Sequence, residues 1–212
     1  MKIAKIAALV VAAVSSSVYA VGPGTYTVTI PASGTASLPL NPGLNGNLNL
    51  PQYDGVAPLA SIVVTLSGFV TSSGTFTNND AASINYSIDL VATGKLTKPN
   101  AAVTLLTISP SGPGLTGTLG SGVGTNFGPL NGTDSNTATV PFADWAPYLG
   151  SGNVTIPYSL TGAAVISGGS NLTSTIVTVG NLTASVTYNV PEPTAMGLLA
   201  PAAMVMGRRR RA

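Results

Sequence analysis

Four stretches of this chain alternate apolar residues with mostly hydroxyl or amide residues at a period of two, and that pattern restricts the fold more than any other feature. Tyr26, Val28 and Ile30 alternate with Thr25, Thr27 and Thr29, and Ile84, Tyr86, Ile88 and Leu90 with Ser83, Asn85, Ser87 and Asp89. Val154, Ile156, Tyr158 and Leu160 alternate with Asn153, Thr155, Pro157, Ser159 and Thr161. Leu182, Ala184, Val186, Tyr188 and Val190 do so with Thr183, Ser185, Thr187 and Asn189. A period of two puts successive side chains on opposite faces of a strand, one for a core and one for water. No helical period fits. Ile62 to Leu66 is apolar on both faces, as in a central strand. Val103 to Ile108 changes phase at Leu105-Leu106, which predicts a bulge or a twisted end. Pro157 has no backbone donor, so its strand is expected at an edge or locally unpaired there.

Gly, Pro and Asn punctuate the strands, at Asn41-Pro42-Gly43, Lys98-Pro99-Asn100 and Ser167-Gly168-Gly169. Residues 109–136 are long and glycine-rich and read as a loop with at most one short strand. A weak helical turn is expected near Ala143 to Leu149. Many short strands with turn signals and no βαβ spacing predict one all-β domain, a two-sheet β-sandwich, with a small closed β-barrel as the alternative. No fixed repeat period holds, which excludes a solenoid.

Charge is sparse and unevenly placed. Only 7% of residues are charged, against about a quarter in an average soluble domain. Lys2, Lys5, Glu192 and Arg208 to Arg211 lie in the terminal segments, leaving Lys95 and Lys98 against Asp54, Asp80, Asp89, Asp134 and Asp144, a net of −3. The body therefore has no basic footprint for nucleic acid. No cysteine means no disulfide framework and no thiolate metal site. No histidine means no Ser-His-Asp triad and no imidazole base or ligand.

The first end, residues 1–20, reads MKIAKIAALVVAAVSSSVYA. Lys2 and Lys5 precede an apolar run from Ile6 to Val14, and Val18-Tyr19-Ala20 supplies a signal-peptidase site. The run is shorter than the roughly 20 residues needed to span a bilayer, so a signal helix with cleavage between Ala20 and Val21 is expected. The other end, residues 191–212, reads PEPTAMGLLAPAAMVMGRRRRA. Pro191 and Pro193 keep the chain extended and open to a protease. A short apolar segment from about Ala195 to Met206, expected as a short helix, precedes Arg208, Arg209, Arg210 and Arg211. That arginine block would stay on the cytoplasmic side and act as a stop-transfer element, giving transient membrane association.

This order of tripeptide, apolar stretch, arginine cluster and chain end resembles the PEP-CTERM sorting domain over about 22 residues, with Pro191, Glu192 and Pro193 matching its tripeptide. The resemblance implies recognition of those three residues by an exosortase-like membrane protease, in bacteria that make exopolysaccharide and extracellular matrix. Between the two signals, the body, residues 21–190, invites a second comparison. Leu50-Pro51-Gln52-Tyr53-Asp54, then Leu59 and Ile62 to Gly68, and later Val154-Thr155-Ile156-Pro157 with a long Thr/Val-rich last strand, are similar to the choice-of-anchor E domain over roughly residues 24–190. That likeness implies a surface role and no chemistry.

Candidate chemistry in the body is sparse. Asp54 and Asp144 sit beside aromatics and are the one conceivable carboxylate pair, although solvated turn residues explain them better. Asn78-Asn79-Asp80 and Asn131, Asp134 and Asn136 offer oxygens, but neither set matches a calcium loop, so no metal and no cofactor are expected. Phe142, Asp144, Trp145 and Tyr148 fall within seven residues and form a candidate carbohydrate-binding cluster. The plainer account is that Trp145 plugs one end of the core under Phe142 and Tyr148. Sequons at Asn85, Asn131, Asn153, Asn171 and Asn181 are incidental in a Thr/Asn-rich chain. The expectation is a non-enzymatic envelope or matrix protein, structural or adhesive, with self-assembly open to it. The alternatives are an exopolysaccharide-binding module and a passive spacer.

Overall fold

In the computed structural model the described residues are 24–30, 37–41 and 43–191. The expected signal segment with Ala20 and Val21, and the tail from Glu192 through Arg211, lie outside them. Among the described residues ten strands form two antiparallel sheets: β1 (Gly24–Ile30), β2 (Leu38–Pro39), β3 (Leu44–Pro51), β4 (Ser61–Asn78), β5 (Ile84–Thr97), β6 (Thr104–Ile108), β7 (Leu115–Leu119), β8 (Gly124–Thr139), β9 (Asn153–Ser167) and β10 (Leu172–Asn189). One sheet runs β1-β10-β4-β8 with β2 also on β10, and the other β3-β9-β5-β6 with β7 also on β5. The fold is a β-sandwich and not a closed barrel.

The alternation sets the faces. Leu182, Ala184, Val186 and Tyr188 of β10 are buried beside Ile62, Val64 and Leu66 of β4, and the opposing sheet contributes Leu48, Leu50, Val154, Ile156 and Leu160. Burying each large aliphatic side chain stabilises the fold by about 1.5–3 kcal/mol, so the inner faces hold the sheets together. A second, smaller core of Phe76, Ile88, Leu119, Phe127 and Ala164 fills one end. On the outer faces hydroxyls pair across strands: Thr25 with Thr187 at 2.9 Å and Thr65 with Thr137 at 3.1 Å.

β10 is the hub. It pairs with β4 along its whole length, from Leu172 opposite Asn78 to Asn189 opposite Ser61, and carries β1 on its other side. As the apolar run implied, Ile62 to Leu66 lies in a central strand, between β10 and β8. The phase change at Leu105 is a bulge: Leu96 faces Leu106, Thr97 faces Thr104, and Leu105 is the extra residue. Pairing of β9 with β5 ends at Tyr158, so Pro157 has only β3 beside it, opposite Asn47. The turn near Ala143 is two 3-10 turns, Phe142–Asp144 and Ala146–Tyr148.

The glycine-rich stretch corrects the expected loop. Residues 109–136 contain all of β7 and most of β8, which pairs with β4 from Gly124 opposite Thr77 to Thr139 opposite Val63. Glycine serves close approach here, not looseness. A Cβ on Gly117 would lie 2.6 Å from the hydroxyl of Tyr86, whose ring crosses the strand there. Gly128, at φ +89°, sits in the bulge where the register of β8 slips between Ser72 and Gly74. Apart from the turn 120–123, only 109–114 stays outside the strands, and Ser111 within it bridges both Val91 of β5 and Thr133 of β8. That crossing ties the two sheets along one flank.

Candidate functional site

The aromatic cluster proposed for sugar divides in two. Tyr148 is core, 1% exposed, whereas Phe142 stands 81% exposed on the surface. Trp145 lies between them, half-buried against the core, its indole N–H donating to the Val140 carbonyl at 2.9 Å. Phe142 meets Trp145 edge-on with ring centroids 5.1 Å apart. Pro141 stands at the start of the first 3-10 turn and Pro147 lies within the second, and both stiffen this short segment at the sandwich end.

Asp144 faces Lys98 across a 2.6 Å ion pair, both side chains part-exposed. Beside the pair a recess of 140 Å³ is lined by Lys98, Leu105, Val140, Ala143, Asp144 and Tyr148, among others. The Tyr148 hydroxyl is buried with no hydrogen-bond partner among the described residues. Its burial, and then the Asp144 charge, push the phenol well above the ordinary tyrosine range. The arrangement offers an exposed aromatic, a fixed ion pair and a small recess. It can hold a polar ring on a surface, but it brings no two carboxylates together.

The other candidates serve the scaffold. Asp54 accepts the Val56 N–H at 3.0 Å as an Asx turn, and no contact joins it to Asp144. Asn78, fully buried, donates to the carbonyls of Ala82, Leu119 and Gly120 and accepts the Asp80 N–H. Asp80 accepts both the N–H and the hydroxyl of Ser170, at 3.0 and 2.6 Å, and these bonds hold its carboxyl below the usual range. Asp134 accepts the backbone N–H groups of Ser109 and Ser135, and Asn136 donates to the Thr107 carbonyl. Among the described residues, no group of three or more acidic, histidine or cysteine side chains could hold a metal. Pro191, the one described residue of the tripeptide expected to be a sorting signal, is exposed and outside any strand.

Sequence reading missed a tyrosine cluster at the same end. Tyr188 donates to the Pro51 carbonyl at 2.8 Å and stacks at 5.5 Å from Tyr53, which donates to the Ala57 carbonyl at 2.7 Å. Pro51-Gln52-Tyr53 was visible as a motif, but its partner lies more than a hundred residues away. Gln52 also reaches across, donating to the Pro147 carbonyl and accepting the Gly152 N–H, both at 2.9 Å.

No family model matches this chain, and no curated protein matches it. Among solved structures it shows a faint likeness to chains titled "Structure of infectious bursal disease virus Gx strain" and "Structure of infectious bursal disease virus Gt strain", at 13% identity in both. The matches cover 89% of this chain and 49% and 48% of the viral chains, with TM-scores of 0.17 and 0.14. This chain thus spans about half the length of those it matches, at a similarity too low to carry any argument.

Proposed function

We propose that this is an exported structural or adhesive protein of a bacterial envelope or extracellular matrix, processed at Pro191-Glu192-Pro193 by an exosortase-like protease. The observation that carries the reading is how the body uses its polar groups. Asp54, Asp80 and Asp134 accept backbone N–H groups, Asp144 pairs with Lys98, and outer hydroxyls bond one another across strands. Groups engaged in this way stiffen a scaffold and are not poised for acid-base work. The terminal signals supply the route of export.

Fractionation of native cells, with mass measurement of both mature termini, tests this. The expected product starts at Val21, ends near Pro191-Glu192-Pro193 and is found at the surface or in the matrix. An uncut chain in the cytosol overturns the proposal. Replacing Glu192 with Ala should leave the unprocessed form in the inner membrane, and normal processing would refute the role of the tripeptide.

A second reading, exopolysaccharide binding, is favoured by the exposed Phe142 edge-on to Trp145 beside the Asp144–Lys98 pair. Glycan fragments should then shift Trp145 fluorescence, and Phe142→Ala should weaken the response. A flat titration removes this reading.

A further inference from the structure

Opposite the flank tied by Ser111, the sandwich is open at the end where β9 turns into β10. β3 covers β9 only as far as Leu160, so Thr161 to Ser167 has β5 on one side and no strand on the other among the described residues. On β10, β1 covers Leu182 to Tyr188, β2 covers Val179 and Gly180, and the Leu40 N–H donates to the Thr178 carbonyl at 2.9 Å. From Leu172 to Val177 that same edge has no partner strand among the described residues. The Thr178 carbonyl fixes the phase. In an antiparallel strand alternate residues present both N–H and C=O to one side, so Ile176, Ser174 and Leu172 present theirs to the open edge while Thr173, Thr175 and Val177 bond β4.

We propose that a second copy of this chain docks here, each open edge pairing antiparallel with its own counterpart about a single two-fold axis. Four observations favour this occupant. An unpaired row of backbone donors and acceptors is matched by another strand, and the row continues the one already bonded by β1 and β2. The two open stretches leave one shared turn, 168–171, and are six and seven residues long, so their midpoints lie at similar heights. One axis normal to the sheets therefore serves both, and the interface is isologous. Between Asp144 and Glu192 there is no charged residue, so neither edge carries the lysine or proline guard that keeps natural edges apart. Finally, a groove of 570 Å³ lies at this open flank, lined by Leu40, Ile176 and Thr178 and by Val91, Ala163 and Val165, among others, with Val91 and Val165 exposed.

The inference rests on the fold and not on the export route, so the termini of the processed chain and the association measured here are separate results. The test is light scattering of the full-length chain across a wide concentration range, beside two variants. Ser174→Pro removes a donor from the open row without breaking the β4 ladder, and Thr175→Lys, at an exposed position beside the midpoint of the open stretch, sets like charges near the axis. A dimer is expected for the native chain, with its dissociation constant raised about tenfold or more in each variant while thermal melting is retained. A native monomer at high concentration, or a dimer that both variants keep unchanged, overturns the proposal.

Discussion

Tyr148 and Tyr188 are buried a few ångströms apart, yet only the Tyr188 hydroxyl has acceptors, the carbonyls of Pro51 and Tyr148. A buried group left without a partner costs more than a made bond contributes. Tyr188→Phe should therefore lower stability by about 1–2 kcal/mol, while Tyr148→Phe should leave it unchanged or raise it by up to about 1 kcal/mol. Urea unfolding of the two variants compares them directly; equal losses would show that the hydroxyls do not differ. Asn78 offers a sharper case. Its amide donates to three carbonyls where β4 ends against the turn after β7, and Asn78→Ala would leave buried acceptors unmatched. A loss of about 2–3 kcal/mol is expected, read from the denaturation midpoint.

At the scale of elements, the turn joining β9 to β10 is clamped by Asp80, which accepts two bonds from Ser170. These bonds lower the Asp80 pKa in the folded state. Its contribution is thus complete above the ordinary aspartate range and is lost as pH falls through the lowered folded value. Protection factors for hydrogen exchange at 168–171, taken relative to the intrinsic rate at each pH, should fall on acidification below that range, and Asp80→Asn should show the lower protection already at neutral pH. Identical exchange in both proteins would remove Asp80 from the clamp. The strands themselves were legible where a buried face met a solvated one, as in β10, because each residue then declares its own side. β7 and β8 were not. Their glycines answer to Tyr86 and to the slip opposite Ser72, neighbours that are local in space and distant in sequence. The candidate site divides in the same way. Phe142 and Trp145 were readable from proximity along the chain, whereas Lys98 reaches Asp144 over 46 positions and Tyr188 reaches Pro51 over 137.

For the whole molecule, connectivity sets the tempo. Consecutive strands repeatedly change sheets, and β1 finds its partner β10 only across most of the body. Topologies dominated by such distant pairings close loops before contacts reward them, and fold in milliseconds to seconds where helical bundles take microseconds to milliseconds. Stopped-flow refolding followed by Trp145 fluorescence should fall in that slower range; a microsecond phase accounting for the full amplitude would contradict it. The position of β10 carries one more consequence. Because β1, β2 and β4 all rest on β10, the last in chain order among the described strands, the sheet they share cannot assemble while the ribosome still holds that strand. A nascent polypeptide stalled before Leu172 should stay protease-sensitive at β1, β2 and β4, and completion of the eighteen residues of β10 should convert it at a stroke.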